Sequence, residues 1–300
     1  MTNNAICIYE VGPRDGLQNE PELIPVHDKL RLIAALAETG LRDIEVGSFV
    51  SPTWVPQMAD TAAVLAGLRY DLPINYATLI PNQRGWSDFV EASQKLPRRP
   101  GEIAVFISAS EGFSRANLNC SVGDSLDRIA PVVASATAMG IRVRGYVSCV
   151  VRCPFDGEVT PAQVVRAVEG LWALAPMSVS LGDTIGAGTP DAVRSMVSAV
   201  AQSVPVEALA GHFHDTGGQA LANIEACLDL GLRTFDAAVG GLGGCPYAPG
   251  APGNVDTCRV VDRLEALGLA TGVERDALAR AAEVALAIRS KARGMGDGNR

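Results

Sequence analysis

The feature that most constrains this chain is a regular alternation of strand-like and helix-like patterning along nearly its whole length. Short apolar runs fit strands at 5–11, 43–47, 74–80, 103–109, 142–150, 179–181, 209–214 and 234–238. Each is followed by a segment with apolar residues at helical spacing, at 26–39, 57–68, 82–95, 122–138, 161–174, 190–203, 217–230 and 254–267. In the first of these Leu30, Ile33, Ala34 and Ala37 share a face, and Gly40 stands where a helix C-terminus favours glycine. Alternation of this kind builds parallel strands covered by helices, and eight such units close into an α/β fold of the (β/α)8 TIM-barrel type. One more helix is expected at 274–293. No polar linker or shift of composition interrupts the series, so residues 1–300 are expected to form a single catalytic domain. The barrel takes about 5–270 and a C-terminal helical extension about 271–293. An open, doubly wound sheet is the structural alternative, but no G-x-G-x-x-G follows the first strand and no P-loop pattern occurs. In a closed barrel, chemistry belongs to the loops that follow the strands.

Charge narrows the list of partners. Lysine and arginine total 25 against 33 acids, a net charge of −8, which would repel a nucleic-acid backbone or an anionic membrane surface. The longest uncharged stretch, 237–255, holds six glycines and three prolines and reads as a loop, so no membrane span is expected. No secretory or transit pattern opens the chain. Seven cysteines without a C-x-x-C pair suit reduced thiols, and a cytoplasmic setting is expected.

Two of the three histidines stand as His212-Phe213-His214. On a strand, residues two apart face one side, so both imidazoles point the same way and make a metal half-site; two hydrogen-bonded interior histidines are the plainer alternative. At the first strand–helix junction, the run from Glu10 to Glu20 carries Arg14 and Asp15 between Gly12 and Gly16. Asp15 can be a hard oxygen ligand and Arg14 a forked donor to an oxyanion, or the two can form only a capped turn with a surface ion pair. Glu45 sits in an otherwise apolar strand and needs a buried partner, for which Arg14 on the neighbouring strand is the obvious choice. Asp183 ends the sixth strand, as a functional acid at the same rim or as the cap of a short turn. The glycine-rich run 240–250 reads as a lid carrying Cys245 as acid or nucleophile, as a phosphate cradle, or as a mobile loop. Asn254 can give an amide oxygen to a metal or cap the next helix. Trp54, Trp86 and Trp172 are expected to be packing residues, and the other six cysteines small hydrophobes.

Several motifs in register resemble those of the 3-hydroxy-3-methylglutaryl-CoA lyase family. They are Gly12-Pro13-Arg14-Asp15-Gly16-Leu17-Gln18-Asn19-Glu20, Ser48-Phe49-Val50-Ser51-Pro52, Val55-Pro56-Gln57-Met58, and Arg144-Gly145-Tyr146-Val147-Ser148-Cys149. Ser180-Leu181-Gly182-Asp183-Thr184-Ile185-Gly186, His212-x-His214-Asp215-Thr216 and Gly241-Leu242-Gly243-Gly244-Cys245-Pro246-Tyr247-Ala248 complete the set, spread over about residues 5–290. The resemblance implies a divalent cation, Mg²⁺ or Mn²⁺, on Asp15, His212, His214 and Asn254, which leaves octahedral positions for two substrate oxygens. It implies catalytic roles for Arg14, Glu45, Asp183, His212 and Cys245, with the base left open between His212 and Asp183. Arg14, Gln18 and Ser48 are implied at the substrate, a small acyl-CoA thioester, and a homodimer is implied as the assembly. The implied reaction is retro-Claisen cleavage to acetyl-CoA and acetoacetate. Alternatives are a lyase for citramalyl-CoA or a longer 3-substituted glutaryl-CoA, a Claisen-type synthase, or a catalytically dead metal-binding scaffold. Three positions depart from the family pattern: Gly217 for an aromatic residue, Pro252 for a small polar one, and Cys258 for an acid.

Overall fold

A computed structural model of the chain describes residues 5–245 and 248–294, with backbone only at 245, 248–252, 293 and 294. Eight parallel strands pair in chain order and close on themselves. They are β1 (Cys7–Glu10), β2 (Asp43–Ser48), β3 (Asn75–Leu79), β4 (Glu102–Ser108), β5 (Arg142–Ser148), β6 (Ser178–Asp183), β7 (Leu209–Phe213) and β8 (Thr234–Ala237). The seam is β1 against β8, with Cys7 beside Thr234 and Glu10 beside Ala237. This is the (β/α)8 barrel that the alternation predicts. Outward residues such as Ile8, Ile44, Val105, Val147, Leu181 and Phe235 are fully or almost fully buried under the surrounding helices.

The helices are α1 (Val26–Ala37), α2 (Thr61–Ala66), α3 (Gln83–Ser93), α4 (Glu111–Leu118), α5 (Val122–Ala138), α6 (Pro161–Leu174), α7 (Pro190–Val200), α8 (Ala220–Leu228), α9 (Thr257–Ala266) and α10 (Arg275–Gly294). Side-chain caps fix several starts: Asn82 accepts from Gly85 N, Thr189 from Ala192 N, and Ser121 with Asp124 forms a capping box. The start of α9 is capped by Asp256, which accepts from Cys258 N at 3.2 Å, so Asn254 is not the cap of that helix.

Four local differences from the sequence reading bear on the site. The helix expected at 57–68 is a 3-10 turn at Pro56–Met58 followed by α2, because the Thr61 hydroxyl ties the junction to Ser48 N and O and to Met58 O. Helix α8 starts at Ala220, since Gly218 takes a positive φ of 69° in the preceding turn. The extra helix α4 is capped by Ser110, whose Oγ accepts from Phe113 N at 3.2 Å. Within 237–255, Gly244–Cys245 pairs antiparallel with Ala248–Pro252.

The C-terminal helix α10 packs on α1 and on the Val239–Gly241 turn. Arg289 reaches the carbonyls of Gly240 and Gly241, both at 3.4 Å, and Gly240 holds a φ of 65° against Ala285. The extension therefore buttresses the root of the glycine-rich segment. Inside the barrel, where bulky apolar layers are usual, Tyr9, Glu45, Glu102, Arg144, Ser180, His212 and Asp236 are buried instead. Groups of this kind must satisfy one another, and they lie directly beneath the rim where the loops meet.

Candidate active site

After β1 the backbone makes a single wide helical turn, Gly12–Gly16, that turns Arg14 and Asp15 over the barrel mouth. Arg14 is only 6% exposed, so its ion pairs are buried ones. Its Nε and Nη2 donate to Glu45 Oε2 at 2.7 and 2.6 Å, and Nη1 donates to Asp15 Oδ1 at 2.7 Å. Tyr146 adds its hydroxyl to Glu45 Oε2 at 3.1 Å. Burial by itself would favour the neutral guanidine, but Glu45 and Asp15 hold Arg14 protonated. Gln18 donates to Asp15 Oδ1 at 2.7 Å, and Ser48 is anchored by Leu79 O at 3.3 Å; both line the cavity.

His212 and His214 project from β7 and its end into the same space, ring centroids 5.3 Å apart. Ligand atoms of Asp15, His212 and His214 all lie within 4.8 Å of one another. Asn254 pairs by backbone with His214 and sets its amide 2.8 Å from Asp15 Oδ2. A half-turn of that amide puts its oxygen in the same place, since the two orientations have the same shape. The electrostatics divide the histidines. Burial, then the neighbouring His212, pushes His214 down to about 4, so it is neutral with a free lone pair at pH 7. Burial opposes charge on His212 as well, but a hydrogen bond and the charge of Asp236 raise it. Asp15 is pulled down to about 2, where Arg14 and both histidines outweigh burial. His214 Nδ1 is buried and has no hydrogen-bond partner among the described residues. Two imidazoles and an ionised carboxylate that close, one nitrogen orphaned, fit a divalent cation.

The cavity above them measures about 700 Å³. Arg14, Asp15, Gln18, Ser48, His212 and His214 form its floor and wall, and Trp54, Phe113 and Arg128 line it further out. Trp54 is 84% exposed, which corrects the packing reading; Trp86 is buried and Trp172 packs against the core. The loop after β2 carries Trp54 outward, and residue type alone does not reveal that. Cys149, Cys153 and Cys227 are buried in the core as small hydrophobes, and Cys153 Sγ in addition accepts from Phe155 N and Asp156 N, both at 3.3 Å. Asp183 is fully buried, and its two oxygens accept from Ala187 N at 3.1 Å and Gly188 N at 2.7 Å. Its neighbours Gly182 and Thr184 line the cavity there. The side chain of Cys245 lies outside the described residues, as does that of Pro252. At Gly217 an added Cβ would sit 2.7 Å from Gly186 O, so an aromatic residue needs a different loop there. Cys258 is half-buried beside Asp256, and burial with that charge pushes its thiol up to about 11.

Sequence reasoning missed Asp236, and it named Arg144 only within a motif, with no role of its own. Asp236 Oδ2 stands 3.1 Å from His212 Nδ1, and Arg144 is the salt-bridge partner of Asp236. The signal was the one used for Glu45: an acid inside an apolar strand.

With this geometry in hand, comparison with known proteins is specific. Residues 5–285 match the HMGL-like family. A Pseudomonas aeruginosa protein named 3-hydroxy-3-isohexenylglutaryl-CoA/hydroxy-methylglutaryl-CoA lyase is 52% identical over 289 residues, 96% of this chain and 94% of its own. The HMG-CoA lyase of Brucella melitensis has a TM-score of 0.91 at 51% identity, covering 95% of this chain and 99% of that one. The HMG-CoA lyase of Acinetobacter baumannii, solved with coenzyme A and 3-methylmalate, has a TM-score of 0.89 at 36% identity over 97% of this chain and 93% of that one. Matches of this depth extend across the whole barrel and well into α10, and the chain belongs to the HMGL-like family.

Proposed function

We propose that this chain is a divalent-metal-dependent carbon–carbon lyase that cleaves 3-hydroxy-3-methylglutaryl-CoA to acetyl-CoA and acetoacetate. What carries the reading is that Arg14 and the Asp15, His212 and His214 cluster face one cavity, in a chain about half identical over nearly its full length to lyases of that substrate. Asp15, His212 and His214 would hold the cation, with Asn254 through its amide oxygen, and this mixture of oxygen and imidazole donors suits Mg²⁺ or Mn²⁺. Bound there, a divalent cation supplies Lewis acidity and lowers the pKa of the substrate's tertiary hydroxyl.

The chain's own residues do the rest. Neither base open from sequence is free in this arrangement, since His212 gives one ring nitrogen to the cation and the other to Asp236. Asp183 is closed off and holds the loop that follows β6, so the hydroxyl proton passes to water in the cavity. Loss of the hydroxyl proton lets the C2–C3 bond break, its electron pair passing into the thioester enolate. Arg14, kept protonated by Glu45 and Asp15, meets that oxygen's developing charge, a contribution typically worth several kcal/mol. Cys245 returns a proton to C2. The outer cavity, past Trp54 and Arg128, takes the coenzyme A arm, a reading supported by the coenzyme A complex of the A. baumannii lyase. A homodimer in the cytoplasm is part of the same reading, testable by light scattering. No helix among the described residues is long and apolar enough to cross a membrane.

Purified protein with Mg²⁺ or Mn²⁺ is expected to release acetyl-CoA and acetoacetate in equal amounts from 3-hydroxy-3-methylglutaryl-CoA. Cleavage only of citramalyl-CoA or of a longer 3-substituted glutaryl-CoA would replace the substrate, and no acetyl-CoA from any of them would refute the activity. His214→Ala should lose Mn²⁺ affinity and turnover together, with affinity read by electron paramagnetic resonance. Unchanged affinity would remove His214 from the cation site.

A further inference from the structure

The two histidines of the cluster are held in different ways. His214 Nδ1 has no hydrogen-bond partner among the described residues, while His212 Nδ1 stands 3.1 Å from Asp236 Oδ2. Strand register brings this contact about, because Asp236 on β8 pairs directly with His212 on β7 and both side chains face into the barrel. The same oxygen of Asp236 accepts from Ser180 Oγ at 2.7 Å, and its other oxygen takes a hydrogen bond from Arg144 Nη2. Arg144 is itself 2% exposed and clamped, its guanidinium 4.0 Å from the centre of the Tyr9 ring and 5.3 Å from that of Tyr146. Tyr9 in turn donates to Glu102 at 2.6 Å.

We propose that Asp236, fixed by Arg144 and Ser180, is a positioning residue that locks His212 in the tautomer with the proton on Nδ1 and so turns the Nε2 lone pair toward Asp15 and His214. The proposal rests on the reading of that cluster as the cation site. Hydrogen-bond capacity sets the tautomer. An ionised carboxylate can only accept, so the nitrogen facing it must carry a proton. In the neutral ring the other nitrogen then has the free lone pair, and Nε2 is the atom 4.0 Å from Asp15 Oδ2. Asp236 is the hydrogen-bond partner of His212 Nδ1 among the described residues, and without it the tautomer with the proton on Nε2, which points N–H at the cation, is no longer disfavoured. Acceptors behind a metal-bound imidazole act in this way, and their loss typically costs roughly 10–100-fold in metal affinity.

The chain's three histidines make the ring nitrogens easy to follow by ¹⁵N NMR with labelled histidine and diamagnetic Mg²⁺. In the parent, His212 is expected to show its proton on Nδ1. In Asp236→Asn the amide group can donate to Nδ1, which reverses the tautomer as an Asp-to-Asn change behind a catalytic histidine does. The His212 signals should then move while those of His214 stay, and Mn²⁺ affinity of the metal-free protein should fall roughly 10–100-fold. Asp236→Asn leaves Arg144 buried without its counter-ion; if that variant does not fold, Arg144→Met with Asp236→Asn removes both charges and is read in the same way. A folded variant that binds Mn²⁺ within about twofold of the parent, with His212 still protonated on Nδ1, overturns the proposal. So does a parent with the His212 proton on Nε2, even if that parent releases acetyl-CoA and the lyase reading stands. A parent that binds no Mn²⁺ overturns both.

Discussion

Replacing Glu45 with Gln tests how much of the site depends on one buried ion pair. Glu45 is wholly buried and is the main acceptor for Arg14, taking two N–H donors on Oε2 at 2.7 and 2.6 Å. Removing one partner of a buried pair costs about 3–5 kcal/mol, because the other charge is stranded out of water. Here Asp15 still faces Nη1 at 2.7 Å, and the glutamine carbonyl can still accept one bond, so the loss should sit near the lower end, about 3 kcal/mol. Tyr146→Phe removes only the hydroxyl at 3.1 Å from the same oxygen and should cost about 1 kcal/mol. Urea unfolding followed by circular dichroism gives both values, provided the m-value is unchanged. Adding Arg14→Gln to Glu45→Gln should recover part of the loss, since the stranded charge is then gone. Turnover should fall in Glu45→Gln, where the guanidinium loses its fixed direction, and in Arg14→Gln, where it is absent. A stability loss below about 1 kcal/mol for Glu45→Gln is what an exposed pair would give, and it would refute the claim that Glu45 holds Arg14 in place.

Two further outcomes follow from named groups. Cys245→Ser keeps a proton at that position but raises its pKa, so turnover should drop severely while Cys227→Ala, in the buried core, costs only packing stability; equal turnover in Cys245→Ser and the parent would end the proton-donor assignment. Glu10 accepts from Gly12 N, Val239 N and Thr257 Oγ1, and burial raises its carboxyl from 4.5 to about 7 against those hydrogen bonds. Its folded pKa being the higher one, the stability it contributes is full below about 4.5 and is lost as pH rises through about 7, on the order of 3 kcal/mol in all. Glu10→Gln should flatten that part of the pH–stability curve in urea titrations, and an unchanged slope would show that the carboxyl ionises as freely in the fold as outside it.

What the sequence made legible, and what it hid, follows from how local each signal is. Strand–helix alternation is read residue by residue, so the barrel and its strand limits came through almost unchanged. The Arg14–Glu45 pair was legible for a physical reason: an acid in an apolar strand needs a cation, and the adjacent strand offered one. Asp236 sends the same signal from β8, a strand of four residues, where one acid is hard to tell from a strand end. Its partner Arg144 lies two strands beyond β7 in the barrel order, so the pair joins residues 92 apart that no sequence window brings together. Arg142 and Arg144 look alike in sequence, yet only Arg144 lies at the level of Asp236, while Arg142 is exposed and bonds Glu102 at 3.2 Å. Closure of the barrel decides which of two equivalent arginines becomes interior. A site built on one strand's periodicity, such as His212 and His214, can be read from the chain, whereas the charged floor that holds it exists only once the first and last strands have met.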